Sequence, residues 1–472
     1  MLAGSPLLRT GLCITVFLIG LAALSYAFPY GAFLEDTPLP LYVTLALMVS
    51  ALWMVLPRFI RSAEAAPRLL TVALLLGLIA RAAMFASTPV LEDDSYRYLW
   101  DGAVTAHGVD PYKYAPGEAS PNPIFGETGA VDAPQDLAVL KTLAAENSEA
   151  HSRINYPFVA TIYPPLTQAG FALAYIIDPF GLTGWRFILL LSDLATLGLL
   201  IALLRAYGRR PEWALLYWWN PVVVLHGFGA VHMDLLVLPF LMAALLWARQ
   251  ARPTWAALAL AGAAGVKLWP ILLFPFVARP LLRKPLHLIA VSAVFLIATL
   301  GLLLPQLLHA LRPEAGLNAY SSEWLTHAFL FSLLQEGVSL FSDTPGSIAR
   351  FIVALSVSAL TAGLALRFAE KSDHLPVLIT TVIAALLFLS PTGYPWYLIW
   401  LAPFLCFIPN LGLRALMVTA PLYWLRFPMG DDALLYQWLI VPIAFGVPLL
   451  LLLRPLFKTG PRYEIRADYS RP

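Results

Sequence analysis

Apolar residues run along this chain in blocks close to the length of a bilayer-crossing helix, separated by short polar links that carry clusters of arginine. About 20 mostly apolar residues are needed to cross a hydrocarbon core. Blocks of this kind lie at 11–29, 39–57, 68–87, 185–204, 212–228, 233–249, 286–308, 347–367, 374–390, 395–412, 414–426 and 434–453. Two further apolar stretches are interrupted. In 158–177, Tyr163-Pro164-Pro165 removes backbone donors and breaks a helix, so this stretch is expected to lie at the interface or to enter only partway. In 253–278, Trp269-Pro270 falls past the middle, and two short helices in a partial hairpin are expected.

Arginine placement orients the blocks. Arg58, Arg61 and Arg68 lie between the second and third, and Arg205, Arg209 and Arg210 follow the fourth. Arg249 and Arg252 follow the sixth; Arg279, Arg283 and Lys284 precede the seventh; Arg367 and Lys371 follow the next; Arg454 and Lys458 follow the last. The positive-inside bias puts all of these on one face only if both termini are cytoplasmic and 88–184 contains no complete crossing. The expected fold is therefore an all-α polytopic membrane protein of about 11–13 transmembrane helices, with one large outer loop carrying juxtamembrane helices. Three spans fill 1–87, the loop fills 88–184, the remaining helices fill 185–454, and 455–472 is a cytoplasmic tail. Residues 11–29 follow Arg9 as a signal peptide would, but no small-x-small cleavage site is evident, so a retained span is expected.

Composition agrees with this pattern. Of 472 residues, 60% are hydrophobic and 12% charged, against about 25% charged in soluble domains. The net charge of +2, without a basic block, gives nucleic acid no footing. Cys13 and Cys406 both sit inside apolar runs, which points to neither a disulfide framework nor a metal site. No phosphate-cradling Walker loop and no G-x-S-x-G elbow occurs, and no polar stretch is long enough for a nucleotide-binding domain. That pattern suits a lipid-linked substrate arriving sideways from the membrane.

The polar exception is Leu91–Pro116, within an 88–157 segment that holds 11 acidic residues against four basic ones. Glu92, Asp93 and Asp94 stand together, followed by aromatic rings. On a helix starting near Asp93, the i, i+3, i+4, i+7 rule groups Asp94, Arg97, Tyr98 and Asp101, while Tyr96, Leu99 and Trp100 take a neighbouring face suited to the lipid interface. A carboxylate beside an arginine stays ionised, as a general base must. The same acids offer oxygen ligands to a divalent cation such as Mg²⁺ or Mn²⁺. Residues 133–148 have helical apolar spacing and are expected to pack on the membrane face. His232 and Asp234 sit on a glycine-softened turn between two spans and suggest a polar pocket wall. Lys267, the only charge between Arg252 and Arg279, costs roughly 2.5–3.5 kcal/mol at membrane depth and calls for a partner such as a lipid phosphate. Tyr320, Glu323, Tyr394 and Trp396 stand at loop and helix starts, where rings stack on sugars or simply form an interfacial belt.

The run DDSYRYLWDG, followed by G-x-D-P-Y-x-Y-A-P, resembles bacterial polytopic glycosyltransferases of the GT-C superfamily, the polyprenyl-phosphate-sugar-dependent group near family 87 and the mannosyltransferases. Asp94 matches an acidic residue three positions before an Arg-Tyr pair, here Arg97-Tyr98, and Tyr163-Pro164-Pro165-Leu166 matches a Pro-Pro-Leu near the end of the loop. The chain departs in having three spans before the loop, and in placing His327 where a Tyr-x-x-x-Trp-x-x-Asn pattern has Asn. The resemblance implies an inverting hexosyltransferase, with mannose the expected hexose, that takes its sugar from a polyprenyl-phosphate donor. The acceptor would be a lipid- or glycan-linked sugar, met at the extracytoplasmic face of the bacterial inner membrane. Asp94 is then the base, with Asp93 the second choice and Arg97 and Asp101 beside them. Lys267, Arg97 and Tyr163 meet the donor phosphate, and Tyr98, His232, Asp234, Tyr320, Glu323, Tyr394 and Trp396 meet the sugars. A polytopic transporter or lipid-linked sugar flippase is the alternative. Transporters place ionisable groups near the midplane, often within repeated halves, whereas these acids gather in one loop and no repeat is visible.

Overall fold

The computed structural model describes residues 5–63, 67–120, 134–310, 312, 315–369, 371–430 and 434–457. Among them the chain is helical, with no strand and one isolated bridge between Thr326 and Thr392. Among the described residues, eight helices are long and apolar enough to cross a membrane: α1 (Pro6–Ala27), α2 (Leu39–Ser62), α3 (Pro67–Phe85), α7 (Leu182–Ala206), α10 (Pro285–Leu307), α11 (Pro345–Phe368), α12 (Ser372–Leu389) and α13 (Tyr436–Leu453). Between α3 and α7 stand shorter helices, among them α4 (Asp94–Ala106), α5 (Pro134–Glu146) and α6 (Pro165–Ile177), while α8 (Val237–Arg249) and α9 (Pro253–Val266) lie between α7 and α10. Proline opens many of them, including α1, α6, α9, α10 and α11, where its missing N–H is one the first turn leaves unpaired anyway. The chain is a multi-pass, all-α membrane protein.

The interrupted stretches fold as their prolines require. Pro165 starts α6, which is only 13 residues long, and 253–278 becomes α9 followed by a second short apolar helix, Trp269–Leu281. Other apolar blocks differ from uninterrupted spans. Residues 212–228 divide into the turns Pro211–Ala214, Leu215–Trp218 and Val223–Gly229, and 395–412 begins as Pro395–Trp400 and Ala402–Cys406. In 414–426 the helix Leu411–Thr419 tightens at Ala420-Pro421. These broken segments are apolar all round because they form the centre of the molecule. Tyr217, Trp218 and Trp219 are at most 1% exposed, whereas α10 and α11 leave most of their apolar surface open to the surroundings. Hydropathy alone does not separate a lipid-facing helix from a buried one.

Charged side chains pin the centre. Arg81 on α3 pairs with Asp193 on α7, donates to the Trp218 carbonyl, and stacks on the Trp218 ring, while the Tyr217 hydroxyl also donates to Asp193. Arg186 on α7 donates to the carbonyls of Phe85, Ser87 and Phe228. Thr88 is tied to Ser25 by two hydrogen bonds. The segment that leaves α3 towards Glu92 is therefore held from two directions.

The helices between α3 and α7 have a small core of their own. Trp100, Ala103 and Val104 of α4 bury against Leu140 and Leu143 of α5, with Tyr114 and Ile154. This corrects two expectations, since Trp100 is 4% exposed rather than at a lipid interface, and the apolar side of α5 faces α4. On its other side α4 lies directly on α6. A Cβ at Gly102 would come within 2.5 Å of the Phe171 carbonyl oxygen, so this close approach requires glycine.

Candidate active site

A cavity of about 1130 Å³ opens between the start of α4, the turn before α8, the turn after α9, and the segment 390–400. Asp94 is the first residue of α4, where a negative side chain meets the positive end of the helix. Its Oδ1 accepts from Asn155 Nδ2 at 2.8 Å and its Oδ2 from the Tyr98 hydroxyl at 3.3 Å. The same Asn155 amide donates to Asp93 Oδ1 at 2.9 Å, so one side chain holds both carboxylates. Three residues in left-handed backbone adjoin this cluster: Leu91 (φ 54°) before Glu92, Tyr156 (φ 48°) after Asn155, and Val231 (φ 55°) before His232. Such conformations cost of order 1–3 kcal/mol for side chains like these and gather at functional sites.

Burial raises the Asp94 carboxyl to about 6, with the charge of Asp93 adding to the rise and the hydrogen bonds from Asn155 and Tyr98 opposing it. Asp93 is raised by burial too, with Asn155 as the main opposing influence. Glu92 is pushed well above the usual carboxylate range, by burial first and then by the charges of Asp94 and Asp93. A carboxylate that titrates near 6 is ionised at neutral pH yet basic enough to accept a proton.

The helical face read from the sequence divides in two. Asp94 and Tyr98 line the cavity. Arg97 lines it as well, but it is committed elsewhere, with Nε on Asp101 Oδ1 at 2.8 Å and Nη1 on the Val159 carbonyl at 3.0 Å. Asp94 is thus held by an amide and a phenol, not by Arg97. Asp101 faces away from the cavity, where it also accepts from Thr161 at 2.5 Å and Gln168 at 3.0 Å. That network locks α4 to the chain entering α6, and it corrects the expectation that Asp101 sits beside the base.

In the same cavity, Lys267 Nζ contacts Asp234 Oδ1 at 2.6 Å, and Trp400 Nε1 donates to the same oxygen at 2.6 Å. The ammonium lies over Tyr397 at 4.2 Å and over Trp400 at 4.9 Å. Asp234 is the buried member of the pair, and Lys267 keeps 22% of its side chain exposed. An ammonium has three donors, so one carboxylate leaves N–H groups free to turn to an anion in the cavity. The bend that presents Asp234 is 106° between Val223–Gly229 and the helix that continues as α8.

The aromatic residues converge as well. Tyr394 stacks on Trp396 (centroids 4.4 Å apart, planes at 10°), and Trp396 stacks on His232 (3.7 Å, 14°). Tyr163 meets Tyr98 edge-on at 5.3 Å, and the Tyr320 hydroxyl bonds those of Tyr397 and Thr392. All but His232 and Thr392 line the cavity. His232 is a correction: it lies behind Tyr98 and Trp396, reaching the Tyr98 hydroxyl at 3.2 Å, and does not face a ligand directly. The side chain of Glu323 lies outside the described residues. Among the described residues, no three carboxylate, histidine or cysteine groups come together in a way that could hold a metal ion, although Glu92, Asp93 and Asp94 are consecutive. Sequence reading missed Asn155, Trp400 and Arg426. Asn155 is a single polar residue in a loop with no spacing to mark it.

The sequence model of the alpha-(1->6)-mannopyranosyltransferase family, N-terminal domain, matches residues 16–131 and 163–283. The chain belongs to this family. The matched residues include Glu92–Tyr98, Tyr163, His232, Asp234 and Lys267, and leave Asn155, Tyr320, Tyr394 and Trp396 outside. The alpha-(1->6)-mannopyranosyltransferase B of Corynebacterium glutamicum is similar, with 24% identity over 374 residues covering 68% of this chain and 56% of that protein. The chain thus spans just over half the length of that relative. Membership agrees with the GT-C resemblance read from the loop motif.

Proposed function

We propose that this protein transfers a mannosyl residue from a polyprenyl-phosphate donor to a glycan- or lipid-linked acceptor at the extracytoplasmic face of the inner membrane, with both termini cytoplasmic. The observation that carries the reading is that Asp94 and Lys267 line one ring-rich cavity, each within reach of the other's charge. A base and a cation in one cavity suit a displacement in which an acceptor hydroxyl attacks and a phosphate leaves. The name of the corynebacterial relative, a mannopyranosyltransferase, supports mannose as the sugar, and the arginine distribution supports the orientation.

In this mechanism Asp94 Oδ1 takes the proton of the acceptor hydroxyl as the oxygen attacks the anomeric carbon. The bond from that carbon to the phosphate oxygen breaks, its electron pair leaves with the phosphate, and the centre inverts. Lys267, steadied by Asp234, Tyr397 and Trp400, stabilises charge on the departing phosphate. Phosphate is a good leaving group, so no strong general acid is required. Tyr98, Tyr163, Tyr320, Tyr394 and Trp396 offer ring faces and hydroxyls to the sugars, and their rigid stacks orient the substrates at little entropic cost.

The test is the purified protein in liposomes with radiolabelled polyprenyl-phosphate mannose and mannoside acceptors. Incorporation of label into the acceptor supports the reading. Movement of labelled lipid across the bilayer with no incorporation would replace it with the flippase reading.

A further inference from the structure

A chain of polar side chains joins the base Asp94 to two residues that the transfer step does not use, His232 and Glu92. From Asp94 Oδ2 it passes to the Tyr98 hydroxyl at 3.3 Å, then to His232 Nδ1 at 3.2 Å. His232 Nε2 looks towards Glu92 Oε2 across 4.0 Å. Beyond the first link the chain is buried: Tyr98 is 3% exposed, the His232 side chain 0% and the Glu92 side chain 6%. His232 Nε2 and Glu92 Oε1 are both buried without a hydrogen-bond partner, which is costly for groups of this kind. The ring of His232 is fixed against Trp396, and Glu92 and His232 each follow a residue in left-handed backbone. At 4.0 Å the two are close but not hydrogen-bonded, so the link requires the Glu92 carboxyl to move nearer.

We propose that Glu92 and Asp94 work as one proton-sharing pair joined through His232 and Tyr98, with Glu92 storing the proton that leaves Asp94 free to act as base. This rests on the reading of Asp94 as the base. In the resting arrangement the Glu92 carboxyl donates to His232 Nε2, His232 Nδ1–H donates to the Tyr98 oxygen, and the Tyr98 hydroxyl donates to ionised Asp94. Every donor points towards Asp94, and one proton is held between two carboxyl groups. Once Asp94 has taken the acceptor proton the pair holds two, and one leaves to solvent from Asp94, the more exposed member, to restore the starting state. No oxidant or further reactant is needed.

The surroundings favour this distribution. Glu92 faces Asp93 and Asp94 from its own segment and Arg426 and Tyr423 from the segment 420–429. His232 faces Glu92, Asp94 and Tyr98 on one side and His226 and Lys267 on the other. The Glu92 side chain is 6% exposed and that of Asp94 22%, so the uncharged form falls to Glu92, the less solvated of the two. Two interacting carboxyl groups titrate as a pair, in two steps. Glu92 is thus a positioning residue, acting on the substrate through Asp94.

Three measurements bear on this. The wild-type pH profile of kcat/KM is expected to be bell-shaped, with Asp94 on the acid limb and Glu92 on the alkaline limb. In Glu92→Gln, which fixes a neutral donor at the position, the alkaline limb is lost; a bell with wild-type midpoints overturns the proposal. His232→Phe keeps a ring against Trp396 but gives Tyr98 no donor, so the acid limb moves up by about one pH unit, or about tenfold in kcat/KM below it. An unmoved limb overturns the proposal through a variant independent of Glu92. The third reads no activity: the protonated-carboxyl infrared band of the substrate-free protein at neutral pH is weaker in Glu92→Gln by one carboxyl. An undiminished band overturns the shared proton even where transfer is observed, whereas absence of transfer by the wild type bears on the proposed function alone.

Discussion

Replacing Asn155 with alanine removes the better placed of the two donors to Asp94, the 2.8 Å amide contact, and leaves the 3.3 Å contact from Tyr98. A hydrogen bond to a charged group contributes roughly 1.5–3 kcal/mol. The Asp94 side chain is 22% exposed, so solvent recovers part of that, and the low end of the range applies. One pKa unit corresponds to 1.36 kcal/mol, which gives a rise of about one unit. The sign follows from the role of the group: Asn155 favours the ionised form, so its loss moves the Asp94 carboxyl from about 6 towards neutrality. A base must be ionised to act, so kcat/KM falls as pH drops through this value. In Asn155→Ala the ionised fraction at pH 6 falls from about one half to about one tenth, a loss of about fivefold that shrinks above pH 8. The assay is label transfer from polyprenyl-phosphate mannose across pH 5 to 9 on purified variant and wild type. An acid limb at the wild-type midpoint in Asn155→Ala refutes the reasoning, whatever happens to the maximum rate.

Other expectations follow from the packing. Asp101→Asn strands the buried Arg97 guanidinium, so thermal stability falls by about 3–5 kcal/mol while the folded fraction keeps its turnover, separating this residue from Asp94. Gly102→Ala forces α4 off the Phe171 carbonyl and costs about 1–3 kcal/mol, read as a lower midpoint in a thermal-aggregation assay. Lys267→Met leaves Asp234 buried and uncompensated, and adding Asp234→Asn is expected to recover folded yield without recovering transfer. A double variant that transfers normally would remove Lys267 from the phosphate site.

The long lipid-facing helices were legible because 18 or more apolar residues in a row admit few other folds. Pro164-Pro165 and Trp269-Pro270 marked the short helices for the same local reason: a proline ring acts where it stands. The central segments were not legible as such, because Tyr217, Trp218 and Trp219 present the same hydropathy as a lipid-facing run. At the site, helical spacing correctly brought Asp94 and Tyr98 to one cavity-lining face. Arg97 lies on that face too, but the spacing did not reveal that it is tied to Asp101, which faces away; these two satisfy each other at i, i+4, a local pairing available as soon as the helix forms. The links to Asn155, Asp234 with Lys267, and Trp396 with His232 join residues 61, 33 and 164 positions apart, and no sequence period carries that information. Lys267, read from the sequence as calling for a partner such as a lipid phosphate, has Asp234 as its partner within the protein.

The comparison of Asp94→Asn with Asp93→Asn bears most directly on how this site works. Both are measured for expression, thermal midpoint and label transfer from polyprenyl-phosphate mannose. Asp94→Asn is expected to fold normally and to lose transfer, while Asp93→Asn, whose carboxylate only shares the Asn155 amide, is expected to retain measurable turnover. Near-normal turnover by Asp94→Asn, or loss in Asp93→Asn alone, would contradict the assignment of the base.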